Sequence, residues 1–350
     1  MTTESDSLPD NETYPPSAEA TEASDIDRRN FIAGATLLGA AATIAAPAVL
    51  AQTGQTKRLT LSYYPWIKQR ISEADLAAAV DKFARVLEAG LGGGYKVDRP
   101  EVFEIPDQLA KLKEKPTGDI AGRIGLLNPI GYALAHRDAA EVQAIAVIRR
   151  KIGDNPPGPT YKAQLYARKD SQIKSLKEVK GRSIGYGSAQ STSNFLVPAL
   201  MLWEAGVHPL AGATRAVFTG GHDKAAEAVY KKELEVGAGH DGAIINLAHD
   251  PNKPEFKDAL DVLQTIQWSD DIPSDPVAIN ATDPAVAKLV RDTLIKIATP
   301  GQPDSEGNKA VAGFWDTKEG FDAIAPGAYA GLLRMMYPIG LRADDMLRKT

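Results

Sequence analysis

Hydrophobic and polar positions along the chain follow two different periods. From Arg58 to Tyr64 apolar residues recur at every second position, the pattern of a strand with one buried face. From residue 73 the period lengthens. Leu76, Val80, Phe83 and Leu87 fall on one helical face, Ser72 stands as the cap and Gly90 as the stop, which predicts a helix over 73–89. Gly92-Gly93-Gly94 then turns the chain into another strand. It follows a helix and not a strand, so it is not a phosphate loop. Strands are expected near 142–149, 164–168, 182–186, 214–218 and 242–246. A short amphipathic turn is expected over 173–181, and helices over 194–205 and from Asp283-Pro284 to Ala298. No internal repeat is present.

This alternation predicts an α/β fold with mainly parallel sheet. Two breaks interrupt it. Gly153-Asp-Asn-Pro-Pro-Gly-Pro159 precedes one near 155–162, and Pro273 with Asp275-Pro276 marks another near 268–276. Two crossings imply two lobes, one discontinuous (52–158 with 273–350) and one inserted (159–272). A cleft between such lobes is a natural ligand site.

The first fifty residues read differently. Residues 1–27 carry eight acids and no base among Ser, Thr and Pro, and bury too little apolar surface to offset the entropy of ordering; they are expected to be a disordered extension. Arg28-Arg29-Asn30-Phe31-Ile32 then opens an apolar Gly/Ala-rich run that ends in Val49-Leu50-Ala51. Residues 28–51 thus have the form of an export signal cleaved after Ala51, and the paired arginines resemble a twin-arginine leader. Asp27 and Ala33 depart from that leader's usual form. The expected destination is the periplasm.

Charge and cysteine content narrow the function. The whole chain has net charge −5 and no cysteine. Removing the leader's eight acids and two arginines from the 45 acids and 40 bases leaves 37 and 38, so the mature chain is near neutral. That argues against nucleic acid as a partner. Absence of cysteine excludes disulfides, thiolate metal sites, a thiol nucleophile and a lipid-modified cysteine.

The most informative stretch is Gly185-Tyr-Gly-Ser-Ala-Gln-Ser191-Thr192-Ser193-Asn-Phe, which follows a strand and opens a helix. Free backbone N–H groups at a helix start attract anions, and three hydroxyls there can each donate to an oxyanion oxygen. A plain helix cap using one hydroxyl is the competing reading. No Gly-Lys-Ser/Thr is present, so this is not a Walker loop. Two Gly-His-Asp triplets occur, at Gly221-His222-Asp223 and Gly239-His240-Asp241. Each can serve acid–base or metal chemistry, or simply cap a helix and line a loop. Tyr63-Tyr64-Pro65-Trp66 ends the first strand, and Tyr132 follows Asn128-Pro129-Ile130-Gly131.

Together these segments resemble the phosphonate-binding proteins of ABC transporters, the group that takes up phosphate, phosphite and phosphonates. The resemblance rests on Asn128-Pro129-Ile-Gly-Tyr132, Tyr166-Ala-Arg-Lys-Asp-Ser171, Ser191-Thr192-Ser193 with Pro198, Phe218-Thr-Gly-Gly-His222-Asp223, and Ile272-Pro273-Ser-Asp275-Pro276, in that order. It implies a two-lobed periplasmic binding protein, type II-like, of two three-layer α/β domains joined by two hinge strands. It also implies a small oxyanion as ligand, an ABC permease as partner, a monomeric, non-enzymatic protein and no cofactor. Carried over, the resemblance puts Ser191, Thr192 and Ser193 on the oxyanion, with Tyr64 (or Tyr63), Tyr132, His222 and Asp241 around it. An acid such as Asp241 would accept a hydrogen bond from P–OH and so disfavour sulfate. Three competing readings remain: a ferric or other metal-binding protein using Tyr63, Tyr64, Tyr132, His222 and Asp241; an oxyanion sensor partner of a histidine kinase; and a phosphohydrolase built on His222 and Asp241.

Overall fold

The first strand forms where the period-two pattern lies, and everything else is arranged around two sheets. A computed structural model describes residues 56–347 except 69–70, 154, 316 and 326; the extension, the export signal and its cleavage point lie outside the described residues. In chain order the strands are β1 (Lys57–Tyr63), β2 (Tyr95–Val97), β3 (Glu101–Val102), β4 (Ile120–Leu126), β5 (Val142–Ile148), β6 (Thr160–Tyr161) and β7 (Ala163–Arg168). They continue with β8 (Ser183–Tyr186), β9 (Arg215–Phe218), β10 (Val236–His240), β11 (Leu263–Trp268), β12 (Ile272–Pro273), β13 (Pro276–Ala281) and β14 (Phe321–Asp322). The helices that matter here are α1 (Glu73–Leu91), α2 (Ile105–Lys113), α3 (Pro129–Asp138), α4 (Val197–Glu204), α5 (His222–Tyr230), α6 (Ala243–Ala248), α7 (Ala259–Val262), α8 (Pro284–Ile297), α9 (Glu306–Val311) and α10 (Ala330–Arg334).

The first sheet runs β14-β5-β13-β4-β1-β2, with β3 also paired to β1; the second runs β11-β7-β10-β8-β9. Both are mixed, which corrects the expectation of mainly parallel sheet. β1 is parallel to β2, β3 and β4, whereas β13 is antiparallel to β4 and β5. In the second sheet β8, β9 and β10 are parallel and β7 runs against β10 and β11. A parallel partner needs a crossover helix to bring the chain back. β13 enters its sheet directly from the second sheet, without such a helix, and so arrives antiparallel.

Each sheet carries helices on both faces. Leu59, Leu61 and Ile279 pack with Phe83 and Leu87 of α1, Val290 and Leu294 of α8, and Phe314. The other face packs on α2, α3 and α10 through Ile105, Leu109, Ile130 and Leu332. In β7, Leu165 and Ala167 face α4, while Tyr166 faces the α5–α7 side with Val229, Leu247 and Phe256. This period-two split, apolar on both faces, is that of a central strand. The two chain passages between the sheets hydrogen-bond to each other: β6 pairs antiparallel with β12, Tyr161 opposite Ile272.

Local differences from expectation have physical causes. Ser72 caps α1 by accepting the Asp75 N–H, but the helix passes Gly90 and stops at Gly92, whose φ is +71°. Gly90 is instead the close approach to α8, where a Cβ would fall 2.8 Å from Ile297 and Thr293 methyls. The segment 242–246 is helical, and the strand lies earlier, at β10. Gly237 and Gly239 disguise that strand. They are required because the Tyr166 ring would lie 2.3 Å from a Cβ at 237, and Ala243 2.8 Å from one at 239. The helix expected over 194–205 begins as a π-turn, Thr192–Leu196, with Leu196 N–H donating to Ser191 O at 3.1 Å. Pro198, having no N–H, cannot extend an α ladder back into that turn.

Phe83 is fully buried with its ring 5.1 Å from Phe314 and 6.3 Å from Phe321. Phe83→Ala is expected to lower unfolding stability by about 3–5 kcal/mol in urea denaturation; a loss below about 1 kcal/mol would contradict this packing.

Candidate functional site

Ends of strands from both sheets meet at one cavity of about 300 Å³. From the second sheet, the loop after β8 brings Ser191, Thr192 and Ser193, the start of α5 brings His222, and the end of β10 brings His240. From the first, the end of β1 brings Tyr64, and the cap of α3 brings Asn128. The passages between the sheets add Arg150, Tyr161 and Asp275.

Cap and donor turn out to be compatible roles for the hydroxyl trio. Ser191 Oγ accepts the Asn194 N–H at 3.1 Å, which is the capping bond. Thr192 Oγ1 accepts the Ile130 N–H of α3 at 3.0 Å, and Asn128 Nδ2 donates to Gln190 O at 2.9 Å. These two bonds tie the hydroxyl turn to the first sheet's helix. Accepting uses a hydroxyl lone pair and leaves its own O–H to be aimed at a ligand. Ser193 and Tyr161 line the cavity together.

His222 is held in one tautomer. Its Nδ1 accepts the His240 N–H at 3.1 Å and lies 3.0 Å from Asn194 Nδ2, which also donates to Ala238 O at 2.7 Å. An Nδ1 that accepts carries no proton, so this pattern assigns the proton to Nε2. Burial, aided by the nearby Arg150 charge, pushes the imidazole pKa down to about 3. His222 is therefore a neutral N–H donor at physiological pH.

Arg150 supplies a charge that the sequence reading had not placed here. Its Nη2 meets Asp275 Oδ2 at 2.5 Å, and its guanidinium lies 4.8 Å from the Tyr161 ring centre. Burial works against the guanidinium's charge, but Asp275 outweighs it and the group stays cationic. Burial raises the Asp275 pKa, with Arg150 opposing. Burial also raises the Tyr64 and Tyr161 phenols, which stay protonated.

Of the seven residues singled out, Tyr64, Ser191, Thr192, Ser193 and His222 line this cavity, and Tyr132 and Asp241 do not. Tyr132 lies on α3 beneath the cleft, stacked on His136 with ring centres 5.6 Å apart and edge-on to Tyr329 at 5.0 Å. Asp241 is turned onto the backbone: Oδ2 accepts the Lys162 N–H at 3.0 Å, and Oδ1 is buried without a hydrogen bond, 3.9 Å from His240 Nδ1. Burial raises its pKa. Tyr63 and Tyr64 separate cleanly. Tyr63 enters the core beside α1, and Tyr64 faces the cleft with Trp66 edge-on at 4.6 Å. The tyrosines and acid of the ferric reading thus do not converge. Among the described residues no group of three or more His, Asp or Glu side chains is disposed to hold a metal ion.

A family model for the phosphonate ABC transporter periplasmic substrate-binding protein matches residues 69–329. This chain belongs to that family. Members are the periplasmic substrate-binding components of ABC importers, whose partners are a small ligand and a permease. The chain is 26% identical over 246 residues to the phosphate-import protein PhnD of Mycolicibacterium smegmatis, covering 67% of this chain and 72% of that one. Among solved structures it resembles PhnD1 of Prochlorococcus marinus in complex with methylphosphonate (TM-score 0.59, 18% identity, 81% of this chain and 98% of that one). It also resembles XAC2383 of Xanthomonas citri bound to chloride (TM-score 0.60, 20% identity, 82% and 99%). At these identities the structures speak for the fold, a two-lobed periplasmic binding protein.

Within this family member, the cleft residues that sequence reasoning passed over as site residues include Arg150, Tyr161, His240 and Asp275, and also Lys68, Asn128 and Lys151. Asp275 stood inside a quoted motif and Arg150 immediately before the Gly/Pro-rich loop. Charged residues at the chain crossings were the available signal.

The His222 shift has a definite sign. The unfolded chain takes up a proton near pH 6.5 that the folded chain refuses until about pH 3, so this residue makes stability fall as pH drops through that window. His222→Gln is expected to flatten the fall in Tm between pH 6.5 and 4 relative to the unaltered protein. Equal slopes for the two proteins would refute a buried neutral imidazole.

Proposed function

We propose that this cleft captures a phosphorus oxyanion (phosphonate, phosphite or phosphate) and delivers it to an ABC permease without chemical turnover. The observation that carries the reading is the convergence of three hydroxyls, a neutral imidazole and one guanidinium on a single partly enclosed cavity. Neutral donors hold a tetrahedral anion through short hydrogen bonds, and their strength rises in a site of low polarity. Ser191, Thr192, Ser193, His222 and Tyr64 are the contacting groups in this proposal. Asp241 and Tyr132 act behind them, Asp241 by fixing Lys162 and Tyr132 by supporting α3. The relatives point the same way, one a phosphate-import protein and one solved with methylphosphonate.

Lobes 52–158 with 273–350, and 159–272, would close on the ligand about the β6–β12 ribbon. The protein would act as a monomer after export by the twin-arginine route and cleavage behind Ala51. The leader's charge leaves with it, so the anion is drawn by local groups and not by a general positive field.

Discrimination against sulfate falls to Asp275 and not to Asp241, because Asp275 borders the cavity. A buried carboxylate there repels an anion without protons and accepts a hydrogen bond from P–OH. Phosphate, phosphite and methylphosphonate are therefore expected to raise Tm in a thermal-shift panel and sulfate to leave it unchanged. Asp275→Asn should let sulfate raise Tm, while Asp241→Asn should keep the original pattern. Stabilisation by sulfate equal to that by phosphate in the unaltered protein would sink the reading.

A further inference from the structure

The second Gly-His-Asp triplet entered the site as read from sequence only through Asp241, yet it is the histidine that reaches the cleft. His240 ends β10 and lines the same cavity as Ser191–Ser193 and His222. The His222 and His240 rings lie 4.6 Å apart between centres and are tilted by 59°. Both rings use Nδ1 in the same way. His222 Nδ1 accepts the His240 backbone N–H at 3.1 Å, and His240 Nδ1 accepts the Gly242 N–H at 2.9 Å. A nitrogen that accepts from an amide carries no proton, so this pattern puts the N–H of each ring on Nε2; His240 Nδ1 also lies 3.9 Å from Asp241 Oδ1.

We propose that His240 is a second imidazole donor of the oxyanion site, its Nε2–H bonding the same ligand as that of His222. This rests on the oxyanion reading above. Two further observations support it. First, the ring is deliberately seated. Gly242 has φ −87°, a backbone that any residue adopts, but a Cβ there would fall 2.9 Å from His240 Cε1 and 3.1 Å from Nδ1. The missing side chain at 242 thus makes room for the ring and not for a turn. Second, the two histidines form one unit. The amide of His240 sets the tautomer of His222, so the residue that orients one donor carries the other. The chemistry suits an anion site: an imidazole N–H donates a hydrogen bond to an oxyanion beside the Arg150 guanidinium.

Calorimetric titration with phosphate, phosphite and methylphosphonate tests this on the whole protein and three variants. His240→Asn keeps an acceptor for the Gly242 N–H but removes the donor at the Nε2 position. It is expected to weaken binding roughly 10- to 100-fold, the usual effect of losing one hydrogen bond to an ion. His240→Gln places an amide N–H near the Nε2 position and should recover most of the loss. Gly242→Ala pushes on the ring and should weaken binding with unliganded Tm kept. Wild-type affinity in His240→Asn overturns the proposal, as does an equal loss in the Asn and Gln variants accompanied by a lower unliganded Tm. If the unaltered protein binds none of the three anions, the oxyanion reading itself has failed, and the proposal with it.

Discussion

The ion pair between Arg150 and Asp275 is the interaction on which the rest of the cleft depends. It joins the two passages of chain between the sheets, Arg150 following β5 and Asp275 preceding β13. Asp275 is removed from water, to 5% of its free exposure, while the Arg150 side chain keeps 24% of its own. Such a pair gains little over an apolar contact, but removing one partner strands the other charge, at a cost on the order of 3–5 kcal/mol. A strut of this kind fixes geometry more than it adds stability. It holds the β6–β12 ribbon beneath the cavity, stacks on Tyr161, and helps set the protonation of His222 and Asp241.

Around that pair several of the cleft's hydrogen-bonding groups stay neutral. The His222 imidazole cannot hold a proton at ordinary pH, the Tyr64 and Tyr161 phenols cannot lose theirs, and the serine and threonine hydroxyls do not ionise. The Arg150 guanidinium is matched by the Asp275 carboxylate, and Lys68, Lys151 and Asp223 also line the cavity. Selection between oxyanions then depends on which of them can return a proton to the wall, and on how the donors are aimed. Both are matters of fixed geometry, set by the π-turn at Thr192–Leu196 and by the amides that hold each histidine ring.

Much of this was legible along the chain. The strand at 57–63 and the helices at 73–91 and 284–297 follow from period and caps, because an amphipathic face and a capping oxygen are local properties. The Ser-Thr-Ser turn was legible for the same reason: a helix start with hydroxyls needs no distant partner to be visible. The strand at Val236–His240 was hidden, since its glycines answer to Tyr166 and Ala243, which belong to other elements and come into contact with it only on folding. Tyr132 and Asp241 were placed by family pattern, whereas their surroundings were set by packing against Tyr329 and by the Lys162 amide.

The sequence by itself determined the α/β class, the two chain crossings and the hydroxyl turn, each written in periodicity, turn residues or a contiguous motif. Only the tertiary structure decided which tyrosine of the pair faces the cleft and that the sheets are mixed. It also decided that Arg150 meets Asp275 across 125 residues of chain. The physical reason is range. Period and capping act between residues a few positions apart, whereas ion pairs, tautomers and the orientation of a buried ring depend on atoms that only the packed fold brings together.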